Sequence, residues 1–428
     1  MKLSRRHFLG TSTAAVVAAG TVATGRVFGA NERIRCCCIG LHGRGGSHIG
    51  GVLKAKDDAE LVALCDVDGR VLEARAIDVE KASGKKPKLY KDMRDAFADA
   101  SIDAVFIATP NHWHSLAAIW ACQAGKDVYV EKPLSHNVWE GRQLVEAAKK
   151  YNRMVMHGTQ GRSSKKWLSA IKAMREGIIG DLYMARALCF KNRDAIGPQD
   201  TPAPADFDWN LWQGPAVAKD FSPLYVHYNW HWFWNYGNGD IGNQGVHQMD
   251  IGAWGMNRGL PVKVESSGGR YTYKDGAETP NTQTASFTYE DGTMLVFEVR
   301  GRATNDESGV KIGNLFYGSE GYGVEGDDAV KFYDKGGKEI PLPEAEFDTL
   351  GEYPNFFRLV RSRKPEDNYA PVTEGHISAA HCHLANVAYR MGHTLKFDPK
   401  AETFIGDADA NKLLTRDYRE PFVVPKIA

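Results

Sequence analysis

The stretch RIRCCCIGLHGRGGS, residues 33–47, places a short apolar segment directly before a glycine-rich turn. Its pattern predicts a strand over Arg33 to Ile39, a turn over Gly40 to Gly46 and an amphipathic helix from Ser47. A strand that passes through a glycine-rich turn into a helix is the opening unit of a phosphate-binding parallel sheet. The stretch therefore predicts an α/β fold that begins here.

The following residues repeat the same alternation of strands and helices. Strand patterns at 60–66, 103–108, 127–131 and 153–157 are separated by helical patterns of ten to fifteen residues. This predicts an N-terminal Rossmann domain, a doubly wound parallel sheet, over residues 31–157. From residue 158 the pattern changes to β-rich runs, with Asp291-Gly292 as a hairpin signal. We expect a C-terminal α+β domain over 158–428, with a large, mostly antiparallel open sheet for substrate binding and oligomerisation, and a helix over 374–391 that packs on the Rossmann domain.

The overall charge indicates a small-molecule ligand. Lys+Arg and Asp+Glu both number 53, so the net charge is zero and gives no general attraction to nucleic acid or to an anionic membrane.

The first thirty residues differ from the rest. Ser4-Arg5-Arg6-His7-Phe8-Leu9 has the twin-arginine pattern, and the following apolar run is too short and too weakly hydrophobic for a stable membrane span. We read residues 1–30 as a twin-arginine signal region and expect a periplasmic or otherwise exported protein. Cleavage after Ala30 would place Phe28 where a small residue is preferred, so an uncleaved leader is the alternative.

The glycine turn departs from the strict G-x-G-x-x-G pattern, because His42 occupies the second glycine position. The amides from Arg44 to Ser47 can still hold a pyrophosphate. Asp66 ends the second strand, where a carboxylate accepts ribose hydroxyls and repels a 2′-phosphate, which favours NAD. Arg70, one turn later, keeps NADP open. The predicted cofactor residues of this half are Gly40, His42, Gly43, Arg44, Gly45, Asp66 and Arg70.

Two further loops follow predicted strands and border the same crevice. The first is ATPNHWH, residues 108–114, whose Thr109, Asn111 and His114 can line the nicotinamide ribose; the alternative is that Asn111 only caps the next helix. The second is Glu131-Lys132-Pro133, where proline ends a strand and holds the lysine at its end. The alternative for Lys132 is a solvated strand-end side chain.

These motifs, in this order, resemble the glucose-fructose oxidoreductase, inositol dehydrogenase and rhizopine-catabolism (Gfo/Idh/MocA) family over nearly the whole chain after the leader. The resemblance implies a Rossmann domain followed by an α/β domain with an open antiparallel sheet. It also implies that Lys132 lies beside the nicotinamide and the reacting carbinol. Glu131 and Lys132 are therefore added to the cofactor residues, and Lys132 to the catalytic ones.

The family motif Asp-x-Gly-x-His matches Asn243-Gln-Gly-Val-His247, so the resemblance makes His247 the acid/base. Asn243 stands where an aspartate is usual, and an amide can position a hydroxyl without accepting its proton. We expect Lys132, His247 and Asn243 to be catalytic, with Asp240 or Asp250 orienting His247. Histidine suits this work because it titrates near neutrality.

The segment YVHYNWHWFWNY, residues 225–236, is unusually aromatic. Trp and Tyr rings stack on sugar C–H faces while their edges bind hydroxyls, although a subunit interface or a core wedge explains the same composition. The substrate candidates are Gln160, Arg162, Trp230, His231 and Asp250, with His227 as a further sugar-hydroxyl partner. We also expect a homo-oligomer formed through the sheet domain.

No metal site is predicted. The seven cysteines lack metal-ligand spacing and read as small buried hydrophobes, and His381-Cys382-His383 on a helix would point apart.

Together these features predict an exported NAD(P)-dependent oxidoreductase that moves hydride between a tightly bound cofactor and a carbinol of a sugar, polyol or glycoside. One alternative is an NAD-dependent hydrolase, lyase or epimerase that works through a transient keto-sugar. The other is a sugar-binding or sensor protein without catalysis.

Overall fold

The computed structural model describes residues 32–197, 201–271, 273–302, 305–343 and 349–427. The predicted signal region, residues 1–30, lies outside these residues. Of the helices that are described, none has both the length and the apolarity needed to cross a bilayer.

The first sheet confirms the predicted parallel Rossmann architecture. Its strands are β1 (Ile34–Ile39), β2 (Ala59–Cys65), β3 (Lys88–Tyr90), β4 (Ala104–Ile107), β5 (Asp127–Val130) and β6 (Val155–His157). They are all parallel, in the order β3-β2-β1-β4-β5-β6. Its helices are α1 (Arg44–Lys54), α2 (Gly69–Ser83), α3 (Met93–Ala98), α4 (Asn111–Gln123) and α5 (Val138–Lys150).

The central strands are apolar throughout because both faces of the sheet are covered. Every residue of β4 and β5 is buried. Cys36, Cys37 and Cys38 are fully buried in β1, and burial raises the pKa of each thiol. They pack as small hydrophobic side chains, as the sequence predicts.

The second sheet confirms the predicted large, mostly antiparallel architecture. Its strands are β7 (Leu182–Cys189), β8 (Lys263–Gly269), β9 (Thr282–Thr288), β10 (Met294–Arg300), β11 (Ile312–Gly318), β12 (Gly321–Glu325), β13 (Val330–Asp334), β14 (Glu339–Ile340), β15 (Leu395–Asp398) and β16 (Thr403–Phe404). Their order is β14-β13-β12-β11-β7-β10-β9-β8-β15-β16, in which β7 and β10 are parallel.

The helices of the later chain connect the two sheets. They are α6 (Lys165–Arg175), α7 (Trp209–Gln213), α8 (Val246–Met256), α9 (Glu352–Ser362), α10 (Val372–Met391) and α11 (Ala408–Lys412). Helix α10 packs against α5 on one side and against α8 and β8 on the other. Helix α9 buries Phe356 and Phe357 in the core of the first sheet, beside Phe106 of β4. The carboxyl ends of the parallel strands therefore face α8 and the segment before it.

Candidate active site

A cavity of about 480 Å³ lies at the carboxyl ends of β1, β2, β4 and β5. It is lined by residues of both the N-terminal and the C-terminal domain. Most of the residues predicted for the site meet here. Those that line it are Gly40, His42, Gly43, Arg44, Asp66, Thr109, Asn111, His114, Glu131, Lys132, Gln160, Trp230, His231, Asn243 and His247.

The glycine turn forms one end of this cavity and leads directly into α1. A Cβ on Gly45 would lie 1.9 Å from the Gly40 carbonyl oxygen, so this glycine permits the turn to close and does not itself line the cavity. Gly43 has φ +42° and nothing within 4 Å of the position of an added Cβ, so the outer side of the turn is open. An open turn at a helix N-terminus fits a pyrophosphate.

Asp66 connects the turn to the end of β2. Its carboxylate accepts hydrogen bonds from the amides of Leu41 at 2.7 Å and Asp68 at 2.9 Å, and burial raises its pKa. A carboxylate has about four acceptor positions, so two backbone bonds leave capacity for ribose hydroxyls. Arg70 does not line the cavity, because its guanidinium donates to Asp68, and its assignment to the cofactor stays a prediction.

The loop after β4 shows a further fit to the cofactor. Thr109 lines the cavity, and its buried hydroxyl oxygen has no hydrogen-bond partner among the described residues. A buried hydroxyl without a partner is costly, so a ligand that offers one is favoured here. Asn111 does not cap α4; its amide nitrogen donates to Asn238 Oδ1 at 3.0 Å, which ties the loop to the second half of the chain.

His114 joins this loop to the Glu131-Lys132-Pro133 segment. Its two ring nitrogens lie 2.6 Å from the Pro133 carbonyl oxygen and 2.7 Å from that of Thr109. The ring therefore fixes the spacing between the two loops that border the nicotinamide end of the cavity.

Glu131 is held by basic side chains. Its carboxylate accepts from Arg44 Nε at 2.8 Å and lies 3.3 Å from His48 Nε2. Burial alone would raise its pKa, but the His48 hydrogen bond and the charges of His48, Arg44 and Lys132 hold the pKa below its ordinary value. Glu131 is thus an anion that balances the cations around it.

Lys132 spans the two halves of the molecule. Its Nζ donates to the Asn243 carbonyl oxygen at 2.7 Å and to Asn243 Oδ1 at 3.3 Å. Burial lowers its pKa, and the charge of Glu131 opposes that shift. An ammonium group has three donors, so these two bonds leave one N–H for a group in the cavity.

A π-helical turn, Ile241–Gly245, presents Asn243 to the lysine and leads into α8, whose second residue is His247. Single π-helical turns are frequent at functional sites. Burial, followed by the charge of Lys132, lowers the pKa of His247 to about 3. His247 is therefore neutral near pH 7 and can accept a proton.

The predicted carboxylate partners of His247 are engaged elsewhere. Asp240 is paired with Arg193 at 2.6 Å, and Asp250 accepts from Arg162 at 2.9 Å and from Ser378 at 2.5 Å. The expectation that one of them orients His247 was wrong, because each carboxylate is consumed by its own buried partners. Neither Asp250 nor Arg162 lines this cavity, so their contact with a substrate stays a prediction.

The aromatic segment closes the far end of the cavity. His231 stacks on Trp230 with ring centroids 3.6 Å apart, and its Nδ1 lies 2.6 Å from the Tyr228 carbonyl oxygen. Donation from Nδ1 leaves Nε2 as an acceptor. Tyr228, which the sequence did not single out, lines the cavity with its hydroxyl accepting from Arg193 and from Asn243 Nδ2, both at 3.2 Å. Its position within the aromatic run is the sequence feature that could have identified Tyr228 as a site residue.

The segment before the aromatic run covers the end of the cavity that is formed by the glycine turn. Phe207 bridges to Asp68, and the amide of Gly69 donates to the Asp206 carbonyl at 2.8 Å. His227, predicted to bind a sugar hydroxyl, also lines the cavity, and its ring stacks on His42 of the glycine turn with ring centroids 4.0 Å apart. Its contact with a sugar stays a prediction. We call residues 206–231 the strap, because this stretch runs along the cavity from the turn to Trp230.

Possible metal ligands occur at two places among the described residues. His381 lies 3.0 Å from the Tyr289 hydroxyl and His383 lies 3.0 Å from Ser135 Oγ, so the two rings serve different neighbours. Ligand atoms of His42, Asp68 and His227 lie within 4.8 Å of one another, but Arg70 already donates to both oxygens of Asp68.

Comparison with known proteins agrees with this geometry. Residues 34–159 match the family model described as "Oxidoreductase family, NAD-binding Rossmann fold", and residues 188–424 match "Oxidoreductase family, C-terminal alpha/beta domain". The chain belongs to the Gfo/Idh/MocA oxidoreductase family. Its N-terminal domain binds NAD, as the turn, Asp66 and Thr109 predict.

Curated relatives resemble part of the chain. A "Glycosyl hydrolase family 109 protein" of Shewanella pealeana is 30% identical over 210 residues, 44% of this chain and 46% of the relative. Another of that name from Shewanella baltica is 31% identical over 174 residues, 40% of this chain and 38% of the relative. The chain thus matches less than half the length of these relatives.

Solved structures share the fold over most of the chain. The WlbA dehydrogenase from Bordetella pertussis, in complex with NADH and UDP-GlcNAcA, superposes with a TM-score of 0.66 at 22% identity, covering 86% of this chain and 99% of that one. The aldose-aldose oxidoreductase from Caulobacter crescentus, complexed with glycerol, gives a TM-score of 0.64 at 16% identity, covering 86% and 100%. At these identities the likeness concerns the fold.

Replacing Arg162 should destabilise the fold. Arg162 and Asp250 are 5% and 1% exposed, so Arg162→Met leaves a buried carboxylate without its cation, which costs roughly 3–5 kcal/mol. Urea unfolding should show this loss, and the double variant Arg162→Met/Asp250→Asn should recover part of it. Lys172→Met, which breaks an exposed pair with Glu176, is the matched control and should change stability by less than about 0.5 kcal/mol. An Arg162→Met protein as stable as this control contradicts the structural role.

Acid should destabilise the protein well above the range in which carboxylates titrate. Burial lowers the pKa of several histidines, to about 3 for His247 and about 4 for His157. The set is His112, His114, His136, His157, His227, His231, His247, His381 and His383.

The unfolded chain protonates these rings near pH 6.5 and the folded protein only at lower pH, so stability is complete above about 6.5 and falls as the pH drops toward 4. Each ring that stays neutral in the folded protein lowers the free energy of unfolding by up to about 1.4 kcal/mol for every pH unit of this drop. Urea midpoints measured from pH 7.5 to 4.5 should fall steeply. His393→Asn removes an exposed ring whose pKa is raised by its hydrogen bond to Asp407, so this variant should lose stability only at the acid end and make the fall slightly steeper. A flat profile would show that these rings are protonated in the fold.

Proposed function

We propose that the protein oxidises or reduces a carbinol of a sugar, polyol or glycoside, with hydride exchanged with an NAD that stays bound. The observation that carries the proposal is the meeting of Lys132 Nζ, Asn243 and His247 in one cavity with the glycine turn at its other end. NAD, when bound, supplies the hydride acceptor or donor. The chain's own residues must then handle the hydroxyl proton and the charge on oxygen.

Lys132 and His247 divide that work. Oxidising a carbinol needs a base for the O–H proton, and neutral His247 supports that role because its lowered pKa leaves it unprotonated near pH 7. The ammonium of Lys132, fixed by the Asn243 carbonyl, stabilises negative charge that develops on the substrate oxygen and polarises the carbonyl in the reverse direction. Asn243 positions the lysine and Tyr228 without moving a proton itself.

The strap supports a retained cofactor. Its backbone pairs with the chain beyond β2 at Val67 and Gly69, and His227 covers the glycine turn. A dinucleotide lying between Asp66 and Lys132 would be enclosed by these contacts, so release requires them to break.

Replacing the lysine should separate binding from turnover. Lys132→Ala should lower hydride transfer by at least about tenfold, as expected for a lost transition-state contact, while the dinucleotide is still found by mass spectrometry of the denatured protein. Lys85→Ala, which removes an exposed lysine paired with Glu60, is the control and should turn over at the wild-type rate. Unchanged turnover in Lys132→Ala, or wild-type protein recovered without any dinucleotide, would refute the proposal.

Glycoside cleavage through a transient ketone is the second candidate, because the Shewanella relatives carry the name glycosyl hydrolase family 109. Oxidation and re-reduction in one site would leave no net NADH. Incubation of the holoprotein with a panel of aryl glycosides decides between the two. Aglycone release without NADH accumulation supports cleavage, whereas stoichiometric NADH without aglycone supports net oxidation.

A further inference from the structure

A second cavity, of about 290 Å³, adjoins the one that holds the proposed chemistry. Gln160 and His247 line both cavities, so they form the boundary between them. The remaining lining residues come from the segment just before α6 and its first turn, from the π-helical turn and α8, and from strands β11 and β12. They are Thr159, Gly161, Trp167, Gln244, Gln248, Asp250, Ile251, Asn314 and Glu325.

One buried side chain in this cavity lacks a partner. Asn314 is 1% exposed, and its amide nitrogen donates to the Gln248 carbonyl at 2.8 Å. Its carbonyl oxygen, Oδ1, has no hydrogen-bond donor among the described residues. A buried acceptor left unpaired costs about 1–3 kcal/mol, so the cavity is suited to a ligand that brings a donor such as a hydroxyl group.

Three glutamine amides also line the cavity, beside Thr159, His247 and two carboxylates. Gln160 donates from Nε2 to the Gly158 carbonyl at 2.9 Å, which leaves its oxygen as an acceptor. Gln244 accepts from Lys191 at 3.1 Å, which leaves its amide nitrogen with only a long contact of 3.5 Å to Gln248. Amides that offer both donors and acceptors, beside the apolar surface of Trp167, match a ring that carries several hydroxyls.

The charge of the cavity excludes an anion. Asp250 and Glu325 are its charged lining residues, and each is already paired, with Arg162 at 2.9 Å and with Lys166 at 2.8 Å. No lysine or arginine lines the cavity itself among the described residues. A carboxylate or phosphate placed here would meet two carboxylates without a free cation, which is unfavourable in a partly desolvated site.

We propose that this cavity binds the part of the substrate that lies beyond the reacting carbinol, and that it selects a neutral polyhydroxylated ring. The substrate then spans the boundary at His247, with one ring beside Lys132 and its neighbour against Asn314 and Gln248. Its size, near the lower end of small-molecule sites at roughly 300 Å³, suits a single ring. This inference rests on the proposed function and names the substrate class as a neutral glycoside of at least two units.

The test compares two buried glutamines in holoprotein that retains its dinucleotide. Gln248→Leu removes an amide from the cavity at similar volume, and Gln283→Leu removes one from β9, where it contacts Ser266 and Asn386 outside both cavities. Hydride exchange is measured with lactose, cellobiose and N,N′-diacetylchitobiose, and with the monosaccharides that compose them. Gln248→Leu should reduce the disaccharide-to-monosaccharide ratio of kcat/KM by at least about tenfold, and Gln283→Leu should leave that ratio unchanged. An equal ratio in both variants overturns the subsite.

A binding measurement separates this inference from the proposed chemistry. Saturation-transfer NMR detects the same disaccharides on the holoprotein whether or not hydride moves, so disaccharide binding that is lost in Gln248→Leu supports the subsite even if no turnover is found. UDP-N-acetylglucosaminuronic acid is the anionic probe. Binding of this probe in preference to the neutral disaccharides, or failure of every neutral disaccharide to bind at millimolar concentration, overturns the inference. If Gln248→Leu does not fold, Glu325→Gln replaces it, and freeing Lys166 should then raise the affinity for the anionic probe relative to the disaccharides.

Discussion

The hydrogen bond from Lys132 Nζ to the Asn243 carbonyl oxygen joins the two halves of this protein at the point where its proposed chemistry occurs. On one side, Pro133 ends strand β5 and holds the lysine at the carboxyl edge of the parallel sheet. On the other, the π-helical turn before α8 presents both the carbonyl of Asn243 and, four residues on, the ring of His247. The spacing between the glycine turn and the proposed proton acceptor therefore depends on this contact.

Burial changes the acid–base properties of the side chains at this contact. Desolvation lowers the pKa of both Lys132 and His247, and the cation beside the histidine adds to the effect. Glu131, held by Arg44 and His48, supplies the nearest compensating negative charge. A site that keeps an ammonium and a neutral imidazole together is suited to stabilising alkoxide charge while a proton is removed.

Local patterns were enough to predict the Rossmann sheet, the glycine turn, Asp66 and the strand-end lysine. Each depends on residues that are close in sequence, such as Gly43 within the turn or Pro133 at the end of a strand. Local patterns could not predict pairings between residues that are distant in the sequence. Arg162 was predicted to contact substrate, yet it is consumed by Asp250, 88 positions away in the chain. Local patterns also did not indicate that His227 stacks on His42, a contact that forms where the strap folds back over the first sheet.

By itself, the sequence determined the order of strands and helices, the parallel sheet and the burial of its cysteines, and it predicted which residues are able to bind NAD and move a proton. These follow from periodicity and from the chemistry of single side chains. Only the tertiary structure decided which carboxylates were already paired, which end of the cavity each aromatic residue covers, and that a second, amide-lined cavity begins at His247. Such facts depend on contacts between segments far apart in the chain, and a competition for buried partners is settled only when all of them are packed together.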